Sequence, residues 1–238
     1  MEAPEKRRVA IITARGGSKR IPRKNIKLFL GKPIIAYSIQ AALDAHCFDE
    51  IMVSTDDEEI ADVAQKYGAS VPFFRSEATS NDFSGTADVL LEVLSQYQRQ
   101  SVNFHQACCI YPTAPFLTPE VLIKGLALME EYQAESLIPV AEFPSSIWRS
   151  FQISGNYLER IWPENEEKRS QDLRNAYYDA GQFYWFQIKP FLNSKKLLTE
   201  KTIPLILQPA QVQDIDTPSD WIEAESKYQL LFRRRENS

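Results

Sequence analysis

The sequence predicts an α/β protein built on a doubly wound, mostly parallel sheet. Short apolar, often β-branched runs alternate with segments of helical period along most of the chain, and glycine or proline punctuates the elements. The first run also empties into a glycine-containing basic loop, at the carboxyl edge where sheets of this kind bind ligands.

Arg8–Ala14 (RVAIITA) is flanked by charge and then glycine, the pattern of a central parallel strand running into a loop. A helix is expected from about Pro33, with proline in its first turn and Ile35, Ile39 and Leu43 at helical spacing. Glu50–Ser54 is the second strand. The next helix begins near Asp57, where Asp56, Asp57, Glu58 and Glu59 complement the amino-terminal dipole. Ile60, Val63, Ala64 and Tyr67 form its apolar stripe, and Gly68 stops it. Val71–Phe74 follows as a short strand and Thr86–Tyr97 as a helix. Ala107–Tyr111 reads as a wholly apolar strand closed by Pro112 and Pro115. Pro119 opens a helix to about Tyr132, and Ser136–Val140 is the next strand.

From Ala141 to Ala176 the alternation breaks, with a hairpin turn at Ser154-Gly155-Asn156 and a charged stretch over Pro163–Arg174. This reads as an inserted arm with strands of its own. Gly181–Ile188 resumes as an aromatic strand, Ile203–Leu207 is another, and Trp221–Phe232 is the last amphipathic helix. Without an internal repeat or low-complexity linker, residues 1–238 read as a single domain carrying the arm 141–176.

A net charge of -5 argues against nucleic acid or an anionic membrane as partner, since both call for a basic surface. Any anion must then be met locally. The apolar stretch Val9–Ile12 behind the charged start is too short for a signal peptide or membrane span, so a cytoplasmic protein is expected. Cys47, Cys108 and Cys109 have neither the number nor the spacing of a disulfide framework or zinc site.

The loop Ala14-Arg15-Gly16-Gly17-Ser18-Lys19-Arg20-Ile21-Pro22-Arg23-Lys24-Asn25 packs five basic side chains into twelve residues. Gly16 and Gly17 let the backbone approach a ligand and turn its amides inward, while the cations neutralise phosphates. The loop matches neither the Walker pattern nor the dinucleotide fingerprint. Near the other end, Asp214-Ile215-Asp216 sets two carboxylates on one side of an extended segment, suited to Mg²⁺ held together with substrate phosphates. Asp216 or Thr217 could instead cap the last helix, which leaves Asp214 unexplained. The aromatic run Phe183–Phe186 reads as a core strand, and His46 and His105 as structural residues.

Together the loop ARGGSKRIPRKN, Gly31-Lys32-Pro33, Ser54-Thr55-Asp56, Tyr111-Pro112-Thr113-Ala114-Pro115 and Asp214-Ile215-Asp216 resemble the acylneuraminate cytidylyltransferases, in family order from Arg8 to Tyr228. The resemblance implies a nucleotide-diphospho-sugar transferase-like fold and transfer of CMP from CTP to the anomeric hydroxyl of an acidic nine-carbon sugar, releasing pyrophosphate. It implies that Arg15, Ser18 and Lys24 hold the CTP phosphates with Lys19 nearby, and that Asn25 and Arg75 fix ribose and base. Arg15, Lys24 and Asp216 would be the catalytic residues, with Asp216 and Asp214 on the metal. Thr86, in the segment Asp82–Thr86, matches a nucleotide-side hydroxyl position. Sialic-acid enzymes present a glutamine and an arginine where this chain has Tyr111 and Tyr178, so Tyr111, Tyr178, Asp179 and Gln182 are expected to line a different sugar pocket. Cys108–Pro115 and Asp179–Trp185 most resemble members acting on pseudaminic acid; legionaminate, N-acetylneuraminate and Kdo are alternatives, as is a catalytically silent nucleotide-binding protein. The family's arm makes a dimer, so Trp148, Phe151, Tyr157 and Trp162 imply a homodimer through residues 141–176.

Overall fold

The computed structural model describes residues 7–81 and 83–236. The charged start Met1–Lys6, and Asp82 at the head of the Asp82–Thr86 segment, lie outside the described residues. In the central strand β1 (Arg8–Thr13), Val9 and Ile11 face one apolar cluster while Ala10 and Ile12 face another. Burial on both faces explains why the run is continuously apolar rather than alternating.

A tight hairpin of β2 (Leu28–Phe29) and β3 (Lys32–Pro33) then precedes α1 (Ile35–Asp44). Pro33 therefore stands in a strand, not in the first turn of the helix, and Ile34 leads into α1. After β4 (Glu50–Ser54), α2 (Glu58–Lys66) starts where the Asp57 carboxylate accepts from the Ile60 amide at 3.0 Å. Gly68, at φ 95°, ends it as expected.

Val71–Phe74 does not form the expected strand. Ser70 makes a single parallel bridge to Met52, after which Pro72 offers no N–H and the chain turns so that Phe73 packs edge-on against Tyr97. The short α3 (Glu77–Ser80) leads to α4 (Thr86–Arg99), β5 (Gln106–Ile110), α5 (Pro119–Glu131) and β6 (Ser136–Glu142). From Glu142 the chain leaves the sheet for an excursion carrying the hairpin β7 (Phe151–Ser154) and β8 (Tyr157–Arg160), turned at Gly155 with φ 62°. It returns as β9 (Tyr177–Asp179), then β10 (Phe183–Gln187), α6 (Ile188–Ser194), β11 (Thr202–Leu207) and α7 (Pro218–Glu236).

The sheet runs β11-β6-β10-β5-β1-β4, with β9 also paired to β6. β4, β1, β5, β6 and β11 run one way, whereas β10 is antiparallel to both its neighbours and β9 to β6. It is thus a mixed sheet with a parallel majority. Side chains of α1, α2 and α5 pack on one face and those of α4 and α6 on the other, the doubly wound arrangement. Among the described residues no helix is long and apolar enough to cross a membrane.

Two features of this fold set up the site. First, β9 and β10 are separated by a break. The Ala180 amide donates to Pro139 O at 2.9 Å, and the Tyr111 amide donates to Gln182 O at 2.8 Å, so within a few residues the chain passes from β6 to β5. Gly181, at φ 62°, makes the turn. Second, a separate apolar cluster buries Ile21 of the basic loop with Ile215 of the acid segment, each 1% exposed, around Phe29 and Trp221. That cluster clamps two segments almost 200 positions apart in sequence against one another.

Candidate active site

The basic loop leaves the carboxyl end of β1 and is fixed from below. Buried Ala14 donates its amide to Ser54 O at 2.9 Å, the Gly16 amide donates to Asp56 Oδ1 at 2.9 Å, and Asn25 donates its side-chain amide to Arg15 O at 2.9 Å. A Cβ on Gly16 would stand 2.8 Å from Asp57 Oδ2, so a larger residue would have to push that carboxylate aside, whereas one on Gly17 would meet nothing within 4 Å. Arg23 pairs with Asp57 and with Glu59 and so latches the loop to α2. The bond to Arg23 holds the Asp57 carboxyl below its usual range. The remaining loop cations line a cavity.

That cavity, of about 440 Å³, is bounded by Arg15, Ser18, Lys19, Arg20, Lys24 and Asn25 from the loop, by Tyr111–Thr113 after β5, and by Asp216. A second, of about 480 Å³, opens beside the β9–β10 break and is lined by Tyr178–Gly181 and by Val212–Asp214. Lys24, Tyr111, Thr113 and Asp216 line both. The two hollows therefore form one bent cleft, cationic at one end and floored by Asp214 and Asp216 where it widens.

Along the acid segment, Asp214 is exposed, Ile215 buried and Asp216 half-buried, the alternation expected of an extended chain. Asp216 does not cap the last helix. Asp220 Oδ2 accepts from the amides of Asp216 and Thr217 at 3.0 and 2.7 Å, and Thr217 Oγ1 accepts from the Asp220 amide at 3.2 Å, a reciprocal cap. Those backbone bonds hold Asp220 ionised below the ordinary carboxylate range. The Asp216 carboxylate is left facing the cleft, with Arg20 Nη2 at 2.7 Å from Oδ2 and Lys24 Nζ at 3.3 Å from Oδ1. Lys24 also donates to Ile215 O at 2.7 Å.

This donor set fits a hard divalent cation. No group of three or more His, Cys, Asp and Glu among the described residues could hold a metal alone. Two aspartates beside cations that attract phosphate suit an ion such as Mg²⁺ that is held by one or two carboxylates together with ligand phosphates.

The cleft lies at the carboxyl edge of an α/β sheet, where such folds bind ligands, and residues 9–211 match the family profile described as cytidylyltransferase. The chain belongs to the cytidylyltransferase family. A pseudaminic acid cytidylyltransferase of Campylobacter jejuni is 40% identical to this cytidylyltransferase over 223 residues, covering 93% of the chain and 96% of that protein. A CMP-N,N'-diacetyllegionaminic acid synthase of Legionella pneumophila is 38% identical over 232 residues, covering 93% and 96%. In fold, the cytidylyltransferase superposes on a CMP:2-keto-3-deoxy-manno-octonic acid synthetase solved with CTP, at TM-score 0.69 and 19% identity over 92% of this chain and 97% of that one.

Most residues singled out in the sequence meet in the cytidylyltransferase's cleft; Gly16 and Gly17 of the basic loop line neither hollow, and Ala14, Arg75, Thr86 and Gln182 stand behind its walls. Ala14 is buried beneath the loop. Arg75 turns its guanidinium to Ser54, donating to the carbonyl at 2.6 Å and the hydroxyl at 3.1 Å, and burial depresses its pKa. Thr86 reaches the cleft through Tyr111, hydroxyl to hydroxyl at 3.3 Å. Gln182 is 3% exposed and donates to Gln211 O at 2.5 Å, bracing the segment that leads to Asp214. Asp179 keeps a place in the second hollow but is itself held, accepting from the Gly181 amide and the Tyr184 hydroxyl, both at 2.8 Å. Burial, then the neighbouring Tyr111 and Asp179, push the Tyr184 pKa up, so it remains a donor. Phe183–Phe186 form a buried strand, as read from the sequence.

Sequence reasoning passed over Arg20, Thr113 and Gln213, which line the cleft. Arg20 lay within the basic run and Thr113 within the Tyr-Pro-Thr-Ala-Pro turn, so both carried a signal. Gln213 carried none.

Proposed function

We propose that this cytidylyltransferase transfers CMP from CTP to the anomeric hydroxyl of a nonulosonic acid, pseudaminic acid in the first instance, and releases pyrophosphate. The observation that carries the proposal is the pair of hollows joined at Lys24, Tyr111, Thr113 and Asp216. A triphosphate fits the cationic end, an acidic sugar fits the end lined by Tyr178 and Asp179, and the α-phosphorus lies at the junction. The likeness to enzymes named for pseudaminic and diacetyllegionaminic acids supports the choice of acceptor.

On this reading Arg15, Ser18, Lys19 and Lys24 bind the phosphates, and Asn25 holds the loop that carries Arg15. Asp216, with Asp214, would hold a divalent cation, which supplies charge neutralisation on the phosphates and lowers the pKa of a bound hydroxyl. Catalysis needs no side-chain nucleophile. The cleft aligns the sugar hydroxyl with the α-phosphorus, and Arg15 and Lys24 offset charge that builds on the phosphate oxygens. Such chemistry belongs in the cytosol, where CTP is supplied.

The test is to incubate the protein with CTP, Mg²⁺ and each of pseudaminate, legionaminate, N-acetylneuraminate and Kdo, and to follow pyrophosphate. Release is expected with pseudaminate at the highest kcat/KM. A higher value for another sugar would transfer the assignment to it, and no release with any would leave only a nucleotide-binding protein.

We also propose that the excursion makes a homodimer. In it Trp148 and Trp162 pack on each other at 5.2 Å, while Phe151 and Ile153 of β7 and Leu158 of β8 share one hairpin face, 51 to 78% exposed. Such a face calls for a partner surface. Sedimentation at micromolar concentration should give a dimer, and Ile153→Asp should give a monomer; a monomeric native protein would contradict this.

A further inference from the structure

The cation pair on Asp216 does more than balance charge. Both oxygens of its carboxylate are met, one by Lys24 and one by Arg20, so the residue best placed for a metal is screened by positive charge on both sides. The two cations are held differently. Lys24 is fixed in the wall, its side chain 19% exposed and its ammonium bonded to Ile215 O. Arg20 has a side chain 65% exposed, is paired with the Asp216 carboxylate, and lines the hollow that would take the phosphates.

We propose that Arg20 is a displaceable guard on Asp216. Its guanidinium rests on the carboxylate until triphosphate oxygens enter the cationic hollow and draw it across, and only then can Asp216 take a divalent cation. Metal is therefore held with nucleotide and not ahead of it. This inference rests on the reading of the cleft as a CTP–metal site. It follows from electrostatics: a bound guanidinium repels a doubly charged ion at the same carboxylate, whereas a triphosphate offers Arg20 more negative charge and two-point bonding. The arrangement makes Arg20 a positioning residue for metal and nucleotide rather than a group acting on the reacting atoms.

The test uses Mn²⁺ alone, its free concentration read by electron paramagnetic resonance against nucleotide-free protein. Wild type should bind it weakly, R20A at least about fivefold more tightly, R20K close to wild type, and the R20A/D216N double variant should lose the gain. In EDTA, calorimetric CTP binding by R20A should weaken by about fivefold or more, because a charge-assisted phosphate contact is missing. Equal Mn²⁺ affinity in wild type and R20A, a gain that survives in the double variant, or unchanged CTP affinity would each overturn the guard. Failure of the underlying reading looks different: D216N would then turn over CTP and sugar at the wild-type rate.

Discussion

Asp216→Asn is expected to lower kcat for CMP transfer by a factor of about 10² to 10³ while leaving CTP affinity within about tenfold. Asn has the size of Asp, and the α7 cap belongs to Thr217 and Asp220, so the fold loses no helix start. The ion pair with Arg20 is largely exposed, with side chains 65% and 35% accessible, and such pairs contribute about 1 kcal/mol or less. Melting should therefore shift by only a few degrees, which separates loss of function from loss of fold. What Asn cannot supply is the anionic oxygen. If steady-state kinetics in Mg²⁺ stayed near wild type, Asp216 would be no metal ligand.

Lys24→Ala should reduce kcat/KM for CTP by about 10- to 100-fold, the range for losing a charged hydrogen bond to a phosphate. The residue stands where the two hollows meet, so its ammonium is placed to meet a phosphate group at the junction. Its removal also frees Ile215 O, which accepts from it at 2.7 Å, and the acid segment should loosen. Lys24→Arg should recover only part of the activity, because a planar fork does not reproduce a compact ammonium bonded to both a carbonyl and a carboxylate. Unchanged CTP kinetics in the alanine variant would remove Lys24 from the phosphate site.

How far the sequence revealed these features depended on whether the cause was local. β1, α2 and α4 announced themselves because burial writes a period into the residues, and the basic loop because five cations in twelve residues call for anions. The acid pair was legible through Ile215, whose apolar side chain between two carboxylates sends both aspartates outward. The β2–β3 hairpin was not: its turn puts Leu30 at φ 48°, a conformation leucine rarely takes. The Leu30 amide donates to Glu225 on α7 at 3.3 Å, a tertiary partner 195 positions away. Val71–Phe74 misled because its composition favours a strand, while Pro72 and the pull of Tyr97 on Phe73 decide otherwise.

The site divides in the same way. Which cations cluster was visible, but not that Arg23 is taken by Asp57 and Glu59, nor that Arg75 braces Ser54, since both depend on where β4 ends. The reversal of β10, and with it the break that opens the second hollow, depends on the excursion returning antiparallel to β6. Residue pattern alone does not carry strand direction. The basic loop, the β2–β3 hairpin, the acid segment and α7 are joined by Ile21, Phe29, Ile215 and Trp221, an apolar cluster whose members look unrelated in sequence.

Crystals grown with CTP and Mn²⁺ and measured at the manganese absorption edge give the most direct reading of whether loop and acid segment share one ligand. An anomalous peak should bond to the Asp216 carboxylate and to triphosphate oxygens that also contact Arg15 and Lys24. Manganese away from Asp216, or phosphates bound outside the Arg15–Asn25 loop, would contradict the account.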